Sequence, residues 1–322
     1  MDYREFTGAV EDQMNRRLKG GVQASLYTAV KNNGKERTGV LIESPGINIS
    51  PTIYLEEYFE DYQKGKCLGM IVDEILGFYD SIKREGPWDC EMLKNYDGVK
   101  DRIVFKLVNT LKNRKFLSTV PHRSYLDLSV VFYVLLEVTA DGTAAMTVSE
   151  SHMEQWKVTT DILWSDALRN VKRLLPAEFV TMNHALKEML RGREESEVSG
   201  NDSGNDSGNL LLGKGTERDG MYILSNSLRS YGAACIAYPH ILEMIGEILR
   251  RDYYVLPSSV HEVIIVPWSP GLDIRELDEM VREINVTQVA EEEVLSSHAY
   301  LYRRSTGLLC GGNARQNGRA AG

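Results

Sequence analysis

The stretch MYILSNSLRSYGAACIAYPHILEMIGEILRRDYYVLPSSVHEVIIVP, residues 221–267, alternates strand and helix signals with almost no intervening sequence. Met221–Ser225 and Gly232–Ala237 are short apolar runs that read as strands. Behind Pro239, the residues Ile241, Leu242, Ile245, Ile248 and Leu249 recur at helical spacing. Tyr253–Leu256 and His261–Val266 are two further strands around Pro257-Ser258-Ser259. Next, Asp273 and Glu276 have the spacing of a capping box. They lead a helix whose apolar face is Ile274, Leu277, Met280, Val281 and Ile284. A strand at Ser297–Arg304, with His298, Tyr300 and Tyr302 on one face, closes the module. The pattern predicts an α+β fold.

The same reading extends toward the N-terminus. Phe6, Val10, Met14 and Leu18 mark a helix that Gly20-Gly21 closes. Val22–Val30 alternates as a strand, Asn32-Asn33-Gly34 has hairpin chemistry, and Thr38, Val40 and Ile42 carry the returning strand. Ser50-Pro51 reads as an N-cap with a first-turn proline, which predicts a helix through Tyr62. A second helix has Leu68, Ile71, Val72, Ile75, Leu76 and Tyr79 on one stripe. Asp101–Val108 suits either strand or helix. Leu128–Val138 is strand-like, turns at Ala140-Asp141-Gly142 and returns through Thr143–Val148. A helix with Thr160 as N-cap covers 160–175. The expected architecture is antiparallel β-hairpins packed with amphipathic helices in two lobes.

Composition marks the domain boundary. Residues 192–219, GREESEVSGNDSGNDSGNLLLGKGTERD, repeat SGND and offer little apolar area to offset chain entropy. They predict a flexible linker that separates a lobe at 1–191 from a module at 220–304, or a disordered loop that interrupts one domain, with 305–322 a frayed tail.

Several segments are similar to one known family. KNNG at 31–34, SPTIYLEEYFEDYQKG at 50–65, VPHRSYLDLSVVFYVLLE at 120–137 and LLPAE at 174–178 carry the resemblance. So do YYVLPSSVHEVIIVP at 253–267 and LDEMVREINVTQVAEEEVLSSHAYLY at 277–302. Together they resemble an uncharacterised bacterial family, a domain-of-unknown-function group common in anaerobic Gram-positive gut bacteria. The 221–267 piece is also similar to another uncharacterised bacterial family. The resemblance implies a bacterial protein and supplies no activity, cofactor or catalytic residue.

Charge and cysteine usage bound the function classes. The 322 residues carry a net charge of −9 and a pI near 5.3. That balance repels phosphate backbones and anionic lipid, so neither nucleic acid nor membrane is expected as a partner. The densest basic stretches are Arg102–Arg114 and Arg250-Arg251, and neither interleaves aromatics as single-strand binders do. Cys67, Cys90, Cys235 and Cys310 form no CxxC pair. Cys67 and Cys235 read as buried hydrophobes and Cys310 as an exposed thiol. With no signal-peptide pattern after MDYREF, the expected compartment is the reducing cytoplasm.

Candidate chemistry is sparse. His122 and Arg123 precede Asp127 near a strand mouth, where they would bind an anionic group or share a proton. The competing reading pairs Arg123 with Asp127 or with a carbonyl. His261 and Glu262 follow a turn; adjacent strand residues face opposite sides, so His261 is expected to cap the turn. His152 and Glu154 would share a face on a continued strand, yet they supply only two metal ligands. His184, His240 and His298 lack polar company in sequence. Ser258-Ser259 beside His261 makes no triad, there is no G-x-S-x-G elbow, and GKGT at 213–216 lacks P-loop spacing. The run Glu291–Glu293 reads as the start of a short helix. No metal or cofactor is expected.

Three functions follow from these observations. The first is a non-enzymatic binding or chaperone-like module for a protein partner or small ligand. The alternative is a hydrolase or transferase whose His122, Arg123, Asp127 and His261 converge in space. The third is a regulatory domain that holds a small ligand between sheet and helix. The ligand-contacting residues expected on any of them are His122, Arg123, Asp127, His261 and Glu262, and the oligomeric state stays open.

Overall fold

The computed structural model describes residues 1–47, 50–83, 91–139, 142–194, 208–213 and 219–311. It is an α+β chain that divides into two compact units, residues 1–94 with 139–142 and residues 95–138 with 143–322.

The smaller unit packs helices on a three-stranded sheet. Helix α1 (Tyr3–Arg17) starts in a capping box, in which Asp2 accepts from the Glu5 amide and Glu5 accepts from the Asp2 amide. Phe6, Val10 and Met14, spaced four apart, are fully buried. Strands β1 (Gln23–Val30), β2 (Glu36–Glu43) and β3 (Thr52–Tyr54) pair antiparallel in that order. The β1–β2 reversal uses Asn33 and Gly34 at φ of 61° and 72°, a region where Gly and Asn meet little steric cost. The helix expected from Pro51 does not start there. Thr52–Tyr54 pairs with Gly39–Leu41 instead, and α2 spans Glu56–Gln63. Proline confines Ser50 to extended backbone, and β-branched Thr52 and Ile53 suit a strand. Gly39 admits the close approach, because a Cβ there would lie 2.7 Å from the Ile53 carbonyl oxygen. Helix α3 (Leu68–Ile82) buries Ile71, Val72, Ile75 and Tyr79 against this core. Cys67, expected inside, precedes the first turn of α3 and is exposed.

The larger unit holds two sheets. After α4 (Tyr96–Val99), the ambiguous segment becomes strand β4 (Ile103–Asn109). It is followed by α5 (Arg114–Leu117), β5 (His122–Tyr125), β6 (Leu128–Thr139) and β7 (Gly142–Thr147). Strand β6 is central, with β4, β5 and β7 paired to it. The turn expected at Ala140-Asp141 lies outside the described residues. Helix α6 (Glu150–Trp156) takes up His152, so the expected continued strand is absent; Ser149 caps the helix, and the His152 ring accepts from the Ser149 amide and stacks on Trp156. Helix α7 (Thr160–Leu174) lies on β4 with Thr159, one residue earlier than expected, as its cap.

The second sheet has the order β13-β12-β10-β11-β9-β8. Its strands are β8 (Ala177–Thr181), β9 (Tyr222–Asn226), β10 (Tyr253–Leu256), β11 (Val263–Pro267), β12 (Tyr300–Arg303) and β13 (Leu308–Gly311). Helices α8 (Met182–Glu194), α9 (Ile241–Leu249) and α10 (Ile274–Thr287) connect them. Gly232–Ala237 is a tight helical turn rather than a strand. Gly232–Ile236 are all buried, and a Cβ on Gly232 would lie 2.1 Å from Ser225 Oγ and 2.5 Å from the His261 carbonyl. Consecutive burial on every side suits a turn wedged against β9, whereas a strand would alternate. Leu277 and Val281 of α10 pack on Tyr254 and Leu256, while Met280 points outward. Glu291–Glu293 forms a turn instead of the expected helix.

Residues 192–219 lie between β8 and β9, which are themselves antiparallel neighbours with Thr181 opposite Tyr222. Helix α8 runs through Glu194, and Leu210–Leu212 forms a helical turn whose preceding Asn209 is buried. Most of the SGND repeat lies outside the described residues. The tail expected to fray at 305 instead contributes β13, which pairs with β12 and half-buries Cys310. Cys235 is buried and donates to the Ser225 carbonyl; Cys90 lies outside the described residues.

Candidate functional site

All five sequence-derived site residues belong to the larger unit, and His122, Arg123, Asp127 and His261 each make contacts of their own. His122, Arg123 and Asp127 occupy the β5–β6 hairpin, whose two-residue connection puts Leu126 at φ 57°. His122 is exposed, with Nδ1 3.0 Å from the Val120 carbonyl oxygen. Arg123 pairs with Asp161 of α7 and lies 5.6 Å from the Trp164 ring centre. The expected Arg123–Asp127 pairing does not form. Asp127 is engaged on both oxygens: Tyr300 Oη donates at 2.6 Å and Ser296 Oγ at 2.8 Å. Burial and then this carboxylate push the Tyr300 phenol well above the ordinary tyrosine value.

His261 sits elsewhere. Its backbone N–H donates to Ser259 Oγ at 3.0 Å. The ring stacks on Tyr231 at 5.7 Å, Nδ1 accepts from the Tyr231 amide at 3.4 Å, and Nε2 lies 3.3 Å from Glu293. Both ring nitrogens are therefore engaged, which suits orientation of the loop better than proton transfer. Glu262 is half-buried beside it. The other histidines do have polar company: His184 meets Glu188, His240 meets Glu243 and His298 meets Asp278.

A concave groove lies between α9 and the β12–β13 hairpin; His240 is on its wall, while His122, Arg123, Asp127, His261 and Glu262 are not. It has a volume of about 480 Å³, and its wall includes His240, Leu242, Glu243, Glu247, Tyr302 and Arg304. The local geometry comes from two elements. Along α9, Glu243 and Glu247 are one turn apart on the outer face while Ile245 is buried. On β12, Tyr302 points inward and stacks on Tyr253 at 4.8 Å. Gly246 lets the helix sit low over that ring, because its Cβ would be 3.1 Å from Tyr302 Cε1. Arg304 donates to Glu247 from Nε at 3.1 Å and from Nη2 at 2.9 Å. Burial first, then the carboxylates of Glu243 and Glu247, raise the Tyr302 phenol above its ordinary value. The acidic pair of α9 was visible in the sequence as Glu243 and Glu247 at i, i+4. Nothing local tied it to Tyr302 and Arg304, because Glu247 and Arg304 are 57 residues apart.

Among the described residues, no group of three or more His, Cys, Asp and Glu is arranged to hold a metal ion. No helix among them is long and apolar enough to cross a membrane. A family model described as a family of unknown function (DUF5688) matches residues 3–304. No curated protein and no solved structure matches the chain.

Proposed function

The chain belongs to the DUF5688 family, and we propose that its larger unit is a non-enzymatic binding module, regulatory or chaperone-like in role. It takes a small ligand, or one side chain of a protein partner, in the α9–β12 groove. The observation that carries this reading is the contrast between two sets of polar groups. His122, Arg123, Asp127 and His261 are each engaged with different partners, as members of a loop or sheet scaffold would be. Glu243, Glu247 and Arg304 instead stand together around one concavity over a buried tyrosine, with Arg304 paired to Glu247 and Glu243 beside His240. A hydrolase or transferase built on the first set would need those four side chains to meet around one substrate, and their separate partners speak against it. The acidic balance and the free, exposed Cys67 suit a reducing bacterial cytoplasm.

The test is protein-observed NMR on the full chain with a fragment set spanning cations, anions and neutral compounds. Shift changes should concentrate on amides of residues 241–249 and 300–304. A set that perturbs the β5–β6 hairpin and residues 259–262 instead, and leaves α9 silent, would move the site and reopen the catalytic alternative.

A further inference from the structure

We infer that the groove recognises a primary alkylammonium group, held between the Glu243 carboxylate and the Tyr302 hydroxyl; this rests on the binding reading above and narrows it. The charges around the groove do not cancel. Arg304 chelates Glu247 through two of its nitrogens, so that pair is mutually neutralised. Glu243 meets the His240 imidazole at 3.4 Å and, among the described residues, no Lys or Arg. One negative charge is left over at the rim, and it favours a monocation.

Tyr302 supplies the second contact. The residue as a whole is only 2% exposed, and its hydroxyl is the part that reaches open solvent, with no hydrogen bond to another described residue. Its neighbours in the sheet behave differently. Tyr253 donates to the Leu242 carbonyl, Tyr254 to the Leu272 carbonyl and Tyr300 to Asp127. A buried tyrosine normally finds a partner for its O–H, and the place where Tyr302 meets open space is the groove it lines. The side chain thus presents an unused oxygen beside the unmatched carboxylate.

The chemistry of these groups selects the cation. A compact ammonium has three donors and can serve a carboxylate and a phenol oxygen together. A guanidinium prefers the bidentate fork, and Arg304 already occupies the one Glu247 offers. A quaternary ammonium has no N–H for the Tyr302 oxygen and needs an aromatic face, whereas that ring is stacked on Tyr253. Leu242 lines the wall and offers apolar surface to the methylene chain behind the nitrogen. Lysine side chains and free polyamines share this chemistry.

The experiment is an NMR titration of the full chain at low ionic strength with N-acetyl-lysine methylamide and with spermidine. N-acetyl-arginine methylamide, choline and succinate serve as comparators. Both amines should shift resonances of 241–249 and 300–303. The tighter of the two identifies the source, a partner's lysine or a free polyamine. Glu243→Gln should weaken binding roughly tenfold, the scale of one charge-assisted hydrogen bond. Tyr302→Phe, which keeps the ring packing, should weaken it about threefold, and added salt should weaken it further. Binding unchanged in Glu243→Gln, or choline or succinate binding as well as the amines, would overturn the ammonium assignment while leaving a groove that binds. Silence from every compound, charged or neutral, would end both.

Discussion

Asp127, a candidate site residue in the sequence, holds two hydroxyls in the structure. Tyr300 and Ser296 are fully buried, and both donate to its carboxylate. Removing that acceptor strands two hydroxyls inside the protein. Asp127→Ala should therefore cost on the order of 1–3 kcal/mol for each hydroxyl left unsatisfied, seen as a lower urea midpoint. Arg123→Ala is the internal comparison. Its ion pair with Asp161 is solvent-exposed on both sides, so the loss should stay within about 1 kcal/mol. If the order of the two losses is reversed, Asp127 is no anchor and its role must be sought elsewhere. The neighbourhood of His122 with Arg123 and Asp127 was plain in the sequence, but their partners were not. Asp127 reaches a tyrosine 173 residues away, a distance no local pattern spans.

At the scale of elements, two asparagines close sheet edges. Strands β1 and β8 each end a sheet and would leave main-chain groups open to pairing. Asn15 of α1 accepts from the Ala24 amide at 2.9 Å and donates to the Ala24 carbonyl at 2.8 Å. Asn209 accepts from the Phe179 amide and donates to the Ala177 carbonyl, both at 3.1 Å. Each carboxamide thus imitates a stretch of neighbouring strand. Asn209→Ala should speed hydrogen exchange at the Phe179 amide and lower stability by roughly 1–3 kcal/mol, since two backbone groups lose their partner. Unchanged protection at Phe179 would show that the edge does not depend on it. Composition hid this residue inside a Gly/Ser/Asn/Asp tract, because a polar side chain folded onto a strand edge looks in sequence like any loop asparagine. Helices α1, α3, α7, α9 and α10 were readable because a buried stripe repeats every three or four residues. The three-residue strand β3 and the turn at 232–237 were not, since pairing with β2 and packing against β9 create them.

For the whole molecule, net charge makes the strongest statement. At −9 the chain repels polyanions over distances set by the Debye length. At about 0.15 M salt it should neither shift the mobility of a single-stranded oligonucleotide nor be retained on heparin. Retention that salt reverses would reveal a basic surface strong enough to outweigh the average. The sequence by itself determined the α+β class, most of the helices, the charge balance and the resemblance to an uncharacterised family, because each depends on composition or on periodicity within a dozen residues. Only the tertiary structure decided the strand order of the six-stranded sheet, the separate partners of His122, Arg123, Asp127 and His261, and the groove where α9 meets β12. Those are meetings of residues far apart along the chain. They are chosen by which strands pair and which faces pack, and a local pattern holds no record of that choice.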